Sequence, residues 1–277
     1  MPVAVRILES NILKVPGPIF HHGQQTTRAV SSLSAALKQV LFSLDTRCSE
    51  NSVCIKRIEM LTRRLLWLTL FALAMANVEA TIVVHLRHLY YPENPLAIFP
   101  LHPFSQADLA IEMVREAATI VMLFTVSLLA LHRSGRRFAA FVYIFGVWDL
   151  GYYLWLKLLI DWPQSWLEWD ILFLIPWPWF GPWITPAIIA LLFTIWGAWV
   201  LNSPKNPRFT RYSVGIFLTG AVLDVAAFLW PAIRLLQHGE QAFQNYVPDE
   251  FSWPLYLVGL LMMLTGLLQS VLPTNKS

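Results

Sequence analysis

The sequence predicts an all-α fold: a polytopic transmembrane helix bundle of about six spans, with a short interfacial or re-entrant helix near residues 166–175. Three observations predict it. Of 277 residues, 56% are hydrophobic and only 13% are charged, against roughly 25% charged in a soluble domain. The missing charge falls in separate blocks of about 20 residues, the length that crosses about 30 Å of hydrocarbon. Thirteen Trp residues supply the amphipathic rings that collect where membrane meets water.

The elements follow in order. Residues 1–59 are polar and weakly patterned and read as a flexible cytosolic tail, in which "SSLSAALKQVLFSLDTR" has the spacing of a short amphipathic helix. "MLTRRLLWLTLFALAMANVEA" from Met60 has the basic start, apolar middle and small residues of a signal sequence, so 1–59 is also readable as an over-extended start. The apolar run continues through "TIVVHL", however, which favours an uncleaved span. A six-span transmembrane domain over 60–277 is expected, with spans at about 65–86, 109–131, 138–160, 183–201, 212–236 and 253–272. The sixth, almost uniformly apolar, is expected at the periphery or at an oligomer contact.

The segment "SWLEWDILFLIPWPWFGPWITP" breaks the simple count. Ser165 and Glu168 stand at capping-box spacing, which predicts a helix start, and Pro176 stops that helix after about ten residues. At 1.5 Å per residue such a helix is too short to cross.

Lys and Arg alternate between loops. Lys56, Arg57, Arg63 and Arg64 precede the first span, "HRSGRR" follows the second, "NSPKNPRFTR" follows the fourth and Lys276 follows the last. "DWPQSWLEWD" and "HGEQAFQNYVPDE" have neither residue. By the positive-inside rule both termini are cytoplasmic.

Charges inside the spans are the functional signal. Asp108, Glu112, Arg115, Glu116 and Thr119 share one helical face, as do Asp149, Tyr153 and Lys157 in the next span. A charge at bilayer centre costs at least about 2.5–3.5 kcal/mol, so such faces turn inward. Counting 1.5 Å per residue sets Glu79 level with Arg115 and Glu112 level with Lys157, all in the outer half. Asp224 falls near the middle of the fifth span. Glu79, Glu112, Glu116 and Asp149 outnumber Arg115 and Lys157, and unpaired buried carboxylates need a proton, a cation or water.

Three functions remain open. The first is an outward-facing site binding or translocating a proton, cation or small polar solute, built from Glu79, Glu112, Arg115, Glu116, Asp149, Tyr153, Lys157 and Asp224. The second is a structural or assembly protein whose charges fix helix packing. The third is an intramembrane metal-dependent enzyme, for which Glu112, Glu116, His85 and His88 are the ligand candidates. Against the third, Arg115 lies between the two acids and the sequence contains no His-Glu-x-x-His signature. No catalytic residues and no cofactor are predicted. Cys48 and Cys54 read as ordinary thiols. A net charge of +3, without a basic patch interleaved with aromatics, argues against nucleic acid. The expected partners are the lipid bilayer, a small solute or ion, and a second copy of the chain.

"FGVWDLGYYLWLKLLIDWP" followed by "WDILFLIPWPWFGPW" resembles stretches of uncharacterised bacterial multi-pass membrane proteins, over about residues 65–200. The resemblance implies an integral protein of the bacterial inner (plasma) membrane and carries no activity.

Overall fold

The computed structural model describes residues 52–102, 104–236 and 246–272. The expected amphipathic helix near residues 31–47, and the expected flexible tail up to residue 51, lie outside these residues, while residues 52–59 of that tail are helical. The chain divides into two compact units, Met1–Glu59 and Met60–Ser277, and the second carries the architecture. The described elements are, in order, α1 (Ser52–Tyr90), which begins in the first unit, α2 (Gln106–Ala130), α3 (Ser134–Ile160), β1 (Trp169–Phe173), β2 (Trp179–Pro182), α4 (Ile184–Asn202), α5 (Arg211–Leu236) and α6 (Trp253–Val271). All six helices are long and apolar enough to cross a membrane.

Local chemistry sets the boundaries. Helix α1 ends at Tyr90, just before the Tyr91-Pro92 dipeptide, where the residue preceding proline is forced out of helical backbone. Ser105 caps α2: its Oγ accepts the Asp108 N–H at 3.1 Å and donates to Asp108 Oδ2 at 2.6 Å, which satisfies one of the open N–H groups of the first turn. Helix α3 stops where Asp161 enters left-handed backbone, at φ 57°. Asp161 N–H then closes on Lys157 O and Trp162 N–H on Leu156 O, which satisfies carbonyls the helix leaves open.

Helix α3 is the hub. Of its most apolar 18-residue stretch 61% is buried, against 39% or less in each of the other five helices. A Cβ on Gly146 would strike the Ala190 carbonyl and Thr194, and one on Gly197 would strike Tyr143, so α3 and α4 pack backbone to backbone. Trp155 Nε1 donates to Leu73 O at 3.0 Å, and Thr69 bonds the Tyr143 hydroxyl at 2.8 Å, which ties α1 to α3.

One expectation is corrected. The segment near 166–175 is not helical: β1 and β2 form an antiparallel hairpin, pairing Trp169 with Pro182, Asp170 with Gly181 and Ile171 with Phe180. The predicted carboxylate cap does form, since Glu168 Oε2 accepts the N–H groups of Gln164 and Ser165 at 2.6 and 3.2 Å. It closes a turn instead of starting a helix. Pro176 and Pro178 disfavour helical backbone at the residues before them, and the aromatic and β-branched run Trp169–Phe173 favours a strand. The sixth helix packs against α5 and α4 and leaves Leu257, Val258 and Leu261 exposed. Gly220 and Gly259 let α5 and α6 approach so closely that a Cβ on either would meet backbone of the other. Trp196 Nε1 and Tyr256 Oη then bond α4 to α6, reaching Leu267 O and Thr185 O at 3.0 and 2.9 Å.

Candidate functional site

A pocket of about 90 Å³ opens at the end of the molecule that carries the hairpin. It is lined by α1, α2, α3 and β1, and its wall includes Arg87, Glu112, Arg115, Glu116 and Asp170. All three acids and Arg87 are buried, as is Glu79 beside them.

The site is built from the turns of α2. Glu112, Arg115 and Glu116 project from one face, because residues three and four apart are neighbours on a helix. Arg115 is the junction. Its Nε donates to Glu112 Oε2 at 2.7 Å, and its Nη1 pairs with Glu79 Oε1 on α1. Thr119, one turn on, donates to the other Glu79 oxygen at 3.3 Å. Glu116 makes no salt bridge among the described residues. Its carboxylate accepts the backbone N–H of Leu174, just past β1, at 2.9 and 3.2 Å.

A second cation enters from α1. Arg87 lies in the last turn, where the helix dipole favours positive charge. Its Nη2 is 3.5 Å from Asp170 Oδ1, and its guanidinium stands 4.1 Å above the Trp162 ring, a cation–π contact. Burial pushes the Asp170 carboxyl up to about 6, against the opposing pull of Arg87, the Ile171 N–H and the Tyr153 hydroxyl. At the mouth, the Tyr90 hydroxyl donates to Asp108 at 2.7 Å.

The sequence-derived candidates therefore divide into groups. Glu112, Arg115 and Glu116 line this pocket, and Glu79 joins them through its ion pair with Arg115. Asp149 and Asp224 line a different cavity. Tyr153 is buried beside Trp162 and Trp183.

Lys157 is a correction. It does not reach Glu112 or Asp149, and instead pairs with Asp161 at 2.7 Å and donates to Pro163 O at 2.9 Å. Its long side chain reaches toward the exposed end of the helix, where an ammonium retains water.

His85 and His88 are exposed, and His85 Nδ1 donates to its own helix at Thr81 O, 2.7 Å away. Among the described residues no group of three or more His, Cys, Asp or Glu converges on one point.

Arg87 and Asp170 were missed by sequence reasoning. Arg87 had a usable signal: it follows Glu79 by eight residues, which puts both on one helical face. Asp170 had none, because its inward direction depends on the hairpin register.

What the site can do chemically follows from its count. Glu79, Glu112, Glu116 and Asp170 surround two guanidiniums, so two negative charges exceed the fixed positive ones. Such a set holds protons or attracts a small cation.

Comparison with protein-family models, curated proteins and solved structures finds no match.

Proposed function

We propose that the chain is a six-span integral membrane protein of the plasma membrane whose acid-rich pocket binds and passes a proton or a small cation. The observation that carries this reading is a set of four buried carboxylates around Arg87 and Arg115: Glu112, Glu116 and Asp170 line a pocket of about 90 Å³, and Glu79 pairs with Arg115 beside it. That volume corresponds to about three water molecules at about 30 Å³ each, well below the roughly 300–1,000 Å³ of a drug-sized ligand site. Intramembrane carboxylates commonly mark proton and ion paths. Glu116, held by a backbone N–H alone, is the group that exchanges the proton or cation. Arg115 fixes Glu79 and Glu112 around it.

The Lys- and Arg-bearing segments 132–137 and 202–211 lie at the ends of spans opposite the hairpin. The positive-inside rule then puts both termini in the cytoplasm and the pocket on the outer side. The packing-network reading also has an observation in its favour, the tie of Arg115 to both α1 and α2.

Flux separates the two. The purified chain is reconstituted into vesicles holding a pH-sensitive dye, and an inward potential is applied in sodium, in potassium and in impermeant buffer. Uptake of protons or of one cation, reduced about tenfold or more in Glu116→Gln, is the expected result. Vesicles no leakier than protein-free ones under all three conditions would leave packing as the role of the charges.

A further inference from the structure

At the end opposite the hairpin, an apolar groove lies beneath a basic rim. The groove holds about 370 Å³ among α3, α5 and α6, its wall includes Phe138, Phe209, Val214, Phe217 and Leu218, and no ionisable group lines it. It is open to the outside, since Phe209, Val214 and Leu218 are 41%, 37% and 55% exposed. Arg211, Val214 and Leu218 recur at i, i+3 and i+7 and share one face of α5. At 1.5 Å per residue Leu218 lies about 10 Å along the helix from Arg211. The groove therefore runs from the loop level into the apolar part of the span.

The rim carries charge of one sign. Segments 131–137 and 202–212 contain Arg133, Arg136, Arg137, Lys205, Arg208 and Arg211 and no Asp or Glu. Arg136 and Arg137 are tied to Asn206 Oδ1 and Leu131 O, at 3.1 and 2.6 Å. Lys205, Arg208 and Arg211 are exposed and form no ion pair among the described residues. Lys205 and Arg208 also line a hollow of about 460 Å³. The Arg208 N–H donates to Ser270 O at 2.8 Å and so fixes the chain against the end of α6. Arg208 thus lines the basic hollow while its neighbour Phe209 lines the apolar groove.

The two features together decide the occupant. A free phosphate would meet the cations and have nothing to place in the groove. A neutral lipid would fill the groove and leave the cations unmatched. An anionic phospholipid satisfies both, because basic pockets at the ends of membrane helices hold acidic headgroups and its acyl chain matches the apolar wall. The volume, about twelve water-sized groups at about 30 Å³ each, admits part of one chain. We propose that the groove among α3, α5 and α6 docks an acyl chain of an anionic phospholipid whose phosphate lies on Arg208 and Arg211. The proposal needs the six apolar helices to lie in a bilayer and is independent of conduction through the Glu116 pocket.

The delipidated full chain in detergent is titrated with dioleoylphosphatidylglycerol, with dioleoylphosphatidylcholine and with glycerol 3-phosphate, and native mass spectrometry counts the molecules retained. One phosphatidylglycerol should bind saturably, about tenfold or more tighter than phosphatidylcholine, and equimolar glycerol 3-phosphate should not displace it. Arg208→Gln combined with Arg211→Gln should weaken it about thirtyfold, the worth of two basic side chains at a membrane surface. Val214→Trp, which fills the groove and keeps both cations, should weaken it as well. Equal retention of the two lipids, displacement by glycerol 3-phosphate, or unchanged retention in either variant would each overturn the proposal. A mass of two chains in place of a lipid adduct would overturn it in favour of a second copy. Should a variant fail to fold, the contrast between the two lipids on the unaltered chain decides the matter alone.

Discussion

The two acid-bearing regions solve the same problem in opposite ways. At the hairpin end, Glu79 and Glu112 share one guanidinium, Asp170 has another, and Glu116 is held by a main-chain N–H. Between α5 and α6, Asp224 is as deeply buried and touches no donor among the described residues. The difference lies in what surrounds each carboxylate. Three of the four acids at the hairpin end are part of an ionic framework, and removing a partner should damage the fold. Asp224 is enclosed, with its carboxyl packed against Gly259.

The largest expected effect is a break in the framework. Arg115→Met leaves Glu79 and Glu112 buried without their cation, which in soluble proteins costs about 3–5 kcal/mol. Adding Glu79→Gln should recover part of that loss. Unfolding curves in detergent for the two single variants and the pair measure it, and strict additivity would show that the residues share no network.

The next effect is a pH dependence. Burial holds the Asp170 carboxyl near 6, above its unfolded value of 3.8. Between those values the native protein keeps a proton that the unfolded chain has released. The stability this group contributes is therefore complete below about pH 4 and is lost as pH rises through about 6. At about 1.4 kcal/mol per unit the swing is at most about 3 kcal/mol. Comparing the pH profile of the unaltered chain with that of Asp170→Asn isolates it. A constant difference between the two profiles from pH 4 to 7 would contradict the assignment.

The smallest expected effect tests the Asp224 side. Gly259→Ala drives a methyl group into the Asp224 carboxyl and toward the Gly220 carbonyl. Overpacking of this kind costs about 1–3 kcal/mol. In an Asp224→Ala background part of that cost should disappear, because only the Gly220 contact remains. A penalty for Gly259→Ala that is identical in both backgrounds would mean the glycine does not make room for the carboxyl.

The helices were legible because hydrophobic blocks of spanning length leave few alternatives, and Pro92, Ser105 and Pro204 mark their ends or restarts. The acidic face of α2 was legible because helical spacing alone aligns Glu112, Arg115 and Glu116. The hairpin was not. Its capping-box residues and short apolar run fit a helix start as well as a turn and strand, and only pairing across the Pro176–Pro178 bend separates them. Lys157 was misplaced because helical phase gives the direction of a Cβ, whereas a four-carbon stem can carry the charge to a different level. Asp149 and Asp224 were grouped with the other acids because depth was the available coordinate, and depth says nothing about which helices are neighbours.

The bond from Leu174 to Glu116 also has a consequence in time. The two residues are 58 positions apart, and the chain is made from its N-terminus at about 5–20 residues per second. Arg115 and Glu112 emerge together, with Glu79 already made, so the ion pairs of Arg115 are complete once α2 has been synthesised, whereas Arg87 waits for Asp170 on the hairpin. Glu116 must then wait about 3–12 s at the same rate for the backbone that will hold it. During that interval α2 carries a carboxylate with no partner from its own chain, at the stage when the insertion machinery is still beside it. The hairpin is thus the last component of the pocket to arrive, and the pocket takes its final form only after α3 is in place.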